Sequence, residues 1–363
     1  MGNGEERMFK ELKLNDNVSE LHIALKFADE KSAKKEFENA LRIINDTHAN
    51  VLCVEIFAGE FVSKTFNAWK KSLKQEFPVN WILPLSENKD CVLAGAHITA
   101  LRGTKPEIIK VNKDSLAVKY SDGFFNYLRT FGIVETINST PYARTYANLE
   151  SLENVMKTCE YSYNDIARTW FYNNDILSWY DDFNESRTLF YNERKVFDGL
   201  LPASTGIGAP NRMGSLIMSG ALALQKTSNE NCFVQDVESP LQCGAPKYGS
   251  SFARAIEIDT PFGKRVMVSG TASIAQGGKS AHIDDIEKQT ELTMNVISEI
   301  LKSREMTFEN TTRAVVYCLK PEYYKVFEKW SEKNVSIPHC PAYSIVCRSD
   351  LLIEVELDAF LEK

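Results

Sequence analysis

The chain has 363 residues, of which 44% are apolar and 25% charged, and its formal net charge is −7. This composition is typical of a globular protein with room for two domains. The acidic balance disfavours general nucleic-acid binding, which needs clustered Lys and Arg. No stretch approaches the ~20 apolar residues of a membrane-spanning helix, and the polar residues 1–16 do not resemble a signal peptide. We therefore expect a cytoplasmic protein without nucleic-acid or membrane partners.

Hydrophobic periodicity predicts a β-α-β unit near the start of the chain. Residues 21–27 and 51–57 are typical of buried strands. Apolar residues between them recur at helical spacing, at Ala33, Phe37, Ala40, Leu41 and Ile44. The polar residues 139–154 then interrupt the apolar pattern. We place a domain boundary near residue 150, which gives an N-terminal domain 1–150 and a C-terminal domain 151–363.

Beyond this boundary the pattern predicts three more strands and one charged, aromatic helix. The strands are residues 165–172, 213–224 and 250–259, and the helix carries Phe183, Arg187, Phe190 and Arg194 at helical spacing. Alternation along the first strand puts Arg168, Trp170 and Tyr172 on one face. That face could line a basic, aromatic pocket, and an ordinary sheet surface is an equal alternative.

A second β-α-β unit is predicted towards the end of the chain. Its strands are residues 264–274, 311–320, 342–348 and 351–357. Asp284 or Asp285 could cap the helix after the first strand, whose inward face would carry Ile286, Thr290, Thr293, Ile297 and Leu301. Pro321 would open a short helix that carries Tyr324, Phe327 and Trp330.

Three short motifs could bring the backbone or a cation close to a ligand. Glycines in residues 203–209 permit a tight turn that exposes N–H groups to an anion, and a plain strand-to-strand turn is the alternative. Small residues around Gly270 allow close approach of a ligand, or close packing of a strand on a helix. Arg254 could present its guanidinium to a carboxylate, or pair with an acid at the surface.

The last strand carries the strongest candidate for acid chemistry. Alternation places Glu354 and Glu356 on one face, among many apolar residues. Burial would raise the pKa of Glu354, which suits a general acid; a solvated outer face is the alternative. Cys347 lies across a turn at Asp350 from Glu354, where it is either a site residue or a core thiol.

The eight cysteines and five histidines show no CxxC pair and no zinc-like spacing. We therefore expect reduced cysteines and no metal site.

The order of these segments over residues 160–357 resembles a known superfamily. The segments VMVSGTASI, DDIEKQTELTMNVISEIL, TTRAVVYCLKPEYYKVFEKW and LLIEVELDAF are similar to the YjgF/RidA pattern. The segments RTWFYNNDI, WYDDFNESR, PASTGIGA, KYGSSFARA and CRSDLLIEVE are similar to its chorismatase branch. Residues 1–150 fit only loosely, as a divergent YjgF-like domain.

The resemblance implies an α/β (α+β) fold of two YjgF/RidA-like, chorismate mutase-like domains, with mixed sheets and helices on one face. It implies a cofactor-independent chorismatase that releases pyruvate from chorismate, with Glu354 protonating the enolpyruvyl methylene. Arg254 and Arg168 would hold the substrate carboxylates. The full set of expected substrate-binding residues is Arg254, Arg168, Tyr248, Thr205, Gly206, Gly270 and Tyr172.

Family members that form 3-hydroxybenzoate carry a Cys at the position of Cys347, which favours that product and makes Cys347 a second catalytic candidate. The alternatives are hydrolysis to a dihydroxycyclohexadiene carboxylate, a RidA-like enamine or imine deaminase, and a non-catalytic binder. The deaminases use an Arg on the strand before the last, where the nearest Arg here is Arg348 at its far end. Small members form trimers, so a monomer and a homotrimer are both expected.

Overall fold

The computed structural model describes residues 9–85, 92–111, 116–227 and 231–363. Within these residues, 17 strands form three mixed sheets, and each sheet carries two α-helices. The predicted class, an α/β fold of mixed sheets with helices packed on one face, is confirmed. No helix in the described ranges is long and apolar enough to cross a membrane.

The first sheet follows the predicted β-α-β pattern. Its strands, in the order β1-β2-β5-β3-β4, are β1 (Phe9–Lys13), β2 (Ser19–Phe27), β3 (Asn50–Phe57), β4 (Val79–Ile82) and β5 (Ala94–Arg102). Its helices are α1 (Glu30–Asp46) and α2 (Ser63–Leu73). Asp29 caps α1 by accepting the Ser32 N–H, which satisfies a donor at the helix start. Four of the five predicted inward residues of α1 are buried: Ala33, Phe37, Ala40 and Ile44.

The second sheet has the order β10-β9-β11-β8-β7-β6. Its strands are β6 (Glu107–Lys110), β7 (Leu116–Ser121), β8 (Phe125–Val134), β9 (Ile166–Asn173), β10 (Ala203–Ile207) and β11 (Ile217–Lys226). Its helices are α3 (Pro141–Thr158) and α4 (Tyr180–Glu193). Thr140 caps α3 by accepting the Ala143 N–H, and Pro141 stands in the first turn, where its missing N–H costs nothing.

The third sheet has the order β12-β13-β14-β17-β15-β16. Its strands are β12 (Phe233–Val237), β13 (Ala255–Thr260), β14 (Gly263–Ala272), β15 (Thr311–Cys318), β16 (Cys340–Tyr343) and β17 (Ile353–Glu362). Its helices are α5 (Ile286–Lys302) and α6 (Pro321–Lys333). Asp285 caps α5 and Pro321 opens α6, as the sequence predicts.

The three sheets repeat one strand order. In each, an antiparallel hairpin is followed by a return strand placed beside it, and then by two parallel strands that end the sheet. The predicted domain boundary near residue 150 lies inside α3. The two-domain division stays a prediction, and it would separate three strands of the second sheet from the other three. Monomer or homotrimer likewise stays a prediction.

The faces of the sheets turned away from the helices meet in one central core. Ion pairs cross it as well as apolar contacts. The Glu55 carboxylate of the first sheet lies 3.3 Å from Arg129 of the second and 3.1 Å from Arg313 of the third. Because buried charges persist only when they are paired and hydrogen-bonded, these contacts fix how the sheets meet.

Two strands differ from the prediction beside the cavity: β13 begins five residues after the predicted start at 250, and β16 ends five residues before the predicted end at 348. Residues 250–254 precede β13, and residues 344–348 follow β16 without strand structure. The backbone of Gly208 binds Ile345 across the gap between the second and third sheets, at 2.7 and 2.8 Å. Arg254 and Cys347 therefore lie on irregular segments beside this gap, where they can face a cavity.

Candidate active site

A cavity lies between the second and third sheets. The second sheet contributes β10 and α4, and the third contributes β14, β17 and the irregular segments beside them. The free space between its walls is about 500 Å³ with the open solvent at the mouth included, and a water-sized sphere can occupy only about 40 Å³ of it. The lining residues are Tyr180, Phe183, Arg187, Ser204, Gly206, Tyr248, Phe252, Arg254, Gly270, Ala272, Ile274, Cys347, Arg348 and Glu354.

Glu354 is the acid of this cavity. It lies at the second position of β17, opposite Ala272 of β14 and Tyr317 of β15, and it is 5% exposed. Burial, and then the charge of Glu356, raises the pKa of Glu354 to about 8. The solvated-face alternative is therefore wrong, and the carboxyl group is largely protonated at neutral pH.

Gly270 provides the space for this carboxyl group. A Cβ atom at Gly270 would come within 2.0 Å of Glu354 Oε1. At Gly206, on the opposite wall, a Cβ atom would meet nothing within 4 Å. The first glycine therefore accommodates the acid, and the second leaves cavity space open. Both predicted glycines line the cavity, as does Tyr248.

Arg187 and Arg254 are buried cations without a carboxylate partner within the described ranges. They are 2% and 3% exposed, and their guanidinium carbons lie 5.9 and 5.5 Å from the Phe252 ring centroid. Arg254 donates twice to the Cys243 carbonyl, at 2.8 and 3.1 Å. Arg187 donates hydrogen bonds to Asn184 and Ser204, and its guanidinium carbon lies 4.7 Å from the Phe183 ring centroid. An unpaired buried charge is costly, so both cations favour an anionic ligand.

Arg168 and Thr205 lie behind the cavity wall. Arg168 is fully buried, and its Nη2 donates to Glu356 at 2.9 Å and to Thr205 at 2.7 Å. Its charge is thus neutralised inside the protein. The structure places neither residue on the cavity lining, and their contact with substrate stays a prediction.

Tyr172 lies in the central core. Alternation along β9 does put Arg168, Trp170 and Tyr172 on one face, but that face turns towards the junction of the three sheets. The Tyr172 ring packs 6.3 Å from the ring of Phe57 and is 1% exposed. The structure therefore places Tyr172 away from the cavity, and the pattern could not show which surface the face would meet.

Cys347 stands beside Glu354 on the segment before β17. Burial, and then the charge of Glu354, raises the pKa of the thiol to about 12, so it is neutral at physiological pH. Within the described ranges, free thiols occur at Cys53, Cys159, Cys243, Cys318, Cys340 and Cys347, and Cys91 lies outside these ranges. No group of three or more potential metal ligands occurs in those ranges.

Comparison with known proteins identifies relatives in sequence and in fold. A chorismatase of Streptomyces hygroscopicus is 28% identical over 253 residues, which cover 62% of this chain and 70% of that protein. A 3-hydroxybenzoate synthase of the same organism is 26% identical over 226 residues, 54% of this chain and 64% of its own length. No family model matches. A chorismatase crystal structure has the same fold, with a TM-score of 0.66, 19% identity, and coverage of 85% of this chain and 93% of its own.

The chain is thus similar in sequence to chorismatases and shares the fold of a chorismatase. The matched segments span about two thirds of the lengths of these sequence relatives.

Sequence reasoning missed several residues that line the cavity. Arg187 was placed on a helix face with Phe183, but nothing in the pattern indicated that α4 would cover the cavity. Arg348 was noted only for its distance from the strand position used by deaminases. In the structure its Nη1 donates to the Gly278 carbonyl at 2.8 Å, and its guanidinium carbon lies 5.6 Å from the Tyr248 ring centroid. Arg348 thus joins the loop after β14 to the cavity mouth.

Proposed function

We propose that this chain cleaves chorismate and releases pyruvate, with Glu354 as the general acid. The observation that carries the proposal is a buried, largely protonated Glu354 in the same cavity as two cations that lack a carboxylate partner. Chorismate has two carboxylates and an enolpyruvyl ether, so it offers both the charges and the reacting carbon. Relatives named chorismatase and 3-hydroxybenzoate synthase support this choice of substrate.

Arg187 and Arg254 are proposed to hold the two carboxylates. They flank the Phe252 ring, which gives the substrate an apolar surface between two cationic ends. Carboxylate binding would neutralise both buried guanidinium groups, and such contacts are stronger in a buried cavity than in bulk solvent. Arg187 therefore takes the role that the sequence assigned to Arg168.

Proton transfer from Glu354 to the enolpyruvyl methylene carbon starts the proposed reaction. The electron pair of the C=C bond forms the new C–H bond, and the adjacent carbon becomes an oxocarbenium centre. Protonation of carbon is slow, so an acid with a raised pKa in a desolvated cavity is the expected solution. The carboxylate left on Glu354 would then lie beside the positive charge.

Cleavage of the ether bond between oxygen and the ring follows. The bonding pair moves to the ether oxygen and completes the carbonyl group of pyruvate. The neighbouring ring hydroxyl oxygen displaces the leaving group, and rearrangement with loss of one proton gives an aromatic ring. That proton can return to Glu354, so chorismate yields pyruvate and a hydroxybenzoate without another reactant.

Cys347 is proposed to favour 3-hydroxybenzoate. Its neutral thiol stands beside the acid, where it can assist rearrangement of the ring without acting as a thiolate nucleophile. We expect Cys347→Ala to lower the fraction of 3-hydroxybenzoate and to raise that of the dihydroxycyclohexadiene carboxylate. A variant with the same product ratio and rate as the wild type would remove Cys347 from the mechanism.

The test is incubation of the purified protein with chorismate. Pyruvate is followed by a coupled assay, and the ring product is identified by chromatography, with Glu354→Gln as the negative control. Pyruvate with 3-hydroxybenzoate supports the full proposal. Pyruvate with the diene diol retains Glu354 and rejects the role of Cys347, and no pyruvate rejects the function.

The enamine or imine deaminase remains a second candidate because Arg348 reaches the cavity. Its hydrogen bond to the Gly278 carbonyl ties it to a loop, which disfavours a role in holding an imine carboxylate. Ammonia release from a 2-aminoacrylate source, without chorismate turnover, would select this candidate.

A further inference from the structure

A fully buried carboxylate, Glu356, lies directly behind the cavity wall. Its Oε2 accepts from Thr205 Oγ1 at 2.5 Å and from Arg168 Nη2 at 2.9 Å, and its Oε1 accepts from Arg313 Nη2 at 2.6 Å. Trp170 Nε1 donates as well, at 3.1 Å. Four donors on three strands therefore hold Glu356 in one orientation.

The Thr205 hydroxyl has no hydrogen-bonding capacity left for a ligand. Its one proton goes to Glu356, and its two lone pairs accept from Arg168 Nη2 at 2.7 Å and from the Gly270 N–H at 3.1 Å. A hydroxyl offers one donor and two acceptor sites, so this set is complete. Thr205 therefore links Glu356 to the backbone of Gly270.

The backbone at Gly270 supports the acid. The register of β14 against β17 shifts between Val268 and Thr271, which places Gly270 in an irregular part of the ladder. Glu354 Oε1 lies over this backbone, in the space that a Cβ atom would take. The position of the Glu354 carboxyl group thus depends on a backbone segment that Thr205 ties to Glu356.

We propose that Glu356 is a positioning residue for Glu354, acting through the Thr205 hydroxyl and the Gly270 N–H. The expected effect on the reaction rate rests on the proposed function. The expected effect on the position of the Glu354 carboxyl group rests on the hydrogen bonds alone. This positioning role explains why Glu356 follows Glu354 on the same face of β17: Glu354 reacts, and Glu356 fixes its place. Removing the link should lower the rate of proton transfer and leave substrate affinity nearly unchanged.

The pH dependence gives a readout that a purely structural role would not change. The groups that act electrostatically on Glu354 are Glu356 on its own strand, Arg168 from β9, Arg254 from the segment before β13 and Cys347 from the segment before β17. The other titratable groups around the cavity are Tyr180 and Arg187 from α4, Tyr248 before β13 and Arg348 after β16. Loss of the negative charge of Glu356 should move the titration of Glu354 to lower pH.

The decisive experiment compares Thr205→Val with Thr205→Ser and Thr130→Val. The serine variant keeps the hydroxyl. The Thr130 variant is the matched control, because that buried hydroxyl also accepts a backbone N–H, from Ala221 at 3.1 Å, away from the cavity. We expect Thr205→Val to lower kcat about 10-fold to 100-fold with KM within about 2-fold, and Thr205→Ser to restore most of the rate. A kcat for Thr205→Val within about 2-fold of that for Thr130→Val would overturn the proposal.

Infrared titration of the ligand-free protein separates this inference from the proposed function. The carboxyl band of Glu354, assigned by its loss in Glu354→Gln, should shift in Thr205→Val and stay in place in Thr130→Val. In Glu356→Gln, where that variant folds, its titration midpoint should move to lower pH. An unshifted band in Thr205→Val would refute positioning. A shifted band with no chorismate turnover by the wild type would reject only the proposed function.

Discussion

The cavity between the second and third sheets differs sharply from the two equivalent positions that the repeated strand order creates. Glu354 stands on the return strand of the third sheet, where Met218 stands in the second and Gly95 in the first. Each of the three faces an aromatic residue of the adjacent strand, namely Tyr317, Tyr172 and Phe57. The backbone arrangement is thus repeated three times, and the acid occurs once.

Packing explains why the other two positions hold no acid. A Cβ atom at Gly95 would come within 2.9 Å of both Cys340 and Pro341, so β5 packs directly against β16. Met218 is 2% exposed and belongs to the central apolar core. A carboxyl group at either place would be buried without partners, at a cost of several kcal/mol. Of the three equivalent positions, only that of Glu354 opens onto a cavity lined by cations.

The largest expected effect comes from removing the one acid. Glu354→Gln should lower the rate of pyruvate release from chorismate about 1,000-fold or more, because the amide cannot protonate carbon. Met218→Leu, which changes the equivalent position at nearly constant volume, should cost less than about 1.5 kcal/mol and retain the wild-type rate. Single-turnover measurement of pyruvate tests both. An equal loss of rate in the two variants would mean that Glu354 has no catalytic role beyond packing.

The next effect separates the two buried arginines, Arg187 and Arg168. Arg187→Met removes a cation that has no carboxylate partner within the described ranges, so we expect KM for chorismate to rise about 100-fold, with the free energy of unfolding within about 1 kcal/mol of wild type. Arg168→Met leaves Glu356 without one of its partners, and should destabilise the fold by about 3–5 kcal/mol. Urea unfolding and steady-state kinetics measure the two quantities. A raised KM in Arg168→Met, together with a destabilised fold in Arg187→Met, would instead support substrate binding by Arg168.

These arginines also show how far the sequence could go. Strand alternation correctly grouped Arg168 with Trp170 and Tyr172, and Glu354 with Glu356. It could not show that the face of β9 turns towards a junction of three sheets, because that depends on contacts between units distant in sequence. The place of Arg187 on the cavity lining was missed for the same reason. Helical spacing shows which residues share a face of α4, but only tertiary packing decides what that face contacts.

The boundaries of the elements follow the same rule. The helices α1, α5 and α6 were predicted well, because caps and apolar spacing are local signals. The strand predicted at residues 342–348 was displaced: β16 ends at Tyr343, and the rest of the segment leaves the sheet to reach the cavity. Apolar runs indicate burial, and a buried loop beside a site gives the same signal as a strand.

A third comparison uses the same substitution at two glycines of the cavity. Gly270→Ala places a Cβ atom within 2.0 Å of Glu354 Oε1, so the acid must move, and we expect kcat to fall about 30-fold. Gly206→Ala adds a methyl group to open space, so it should raise KM about 10-fold and leave kcat within about 3-fold. Equal effects on kcat would contradict the separate roles of the two walls.

The smallest expected effect, and the most direct readout of the acid, is the pH dependence. Burial and Glu356 raise the pKa of Glu354 to about 8, so kcat/KM for chorismate should be constant at neutral pH and fall about tenfold per unit above pH ~8. The raised pKa of Glu354 also makes the free energy of unfolding depend on pH. Because the folded pKa lies above the unfolded value of 4.5, unfolding releases a proton at intermediate pH, and the contribution of Glu354 to stability declines as pH rises from 4.5 to about 8.

Glu354→Gln does not titrate, and so it isolates this contribution. Its free energy of unfolding relative to wild type should increase between about pH 5 and about pH 8, as measured by urea unfolding, while Met218→Leu should show no such trend. A kinetic limb near pH 4.5, together with a flat stability difference, would mean that Glu354 ionises like an exposed carboxylate. It could not then supply the proton at neutral pH, and the cavity would lack the acid that distinguishes it from the positions of Met218 and Gly95.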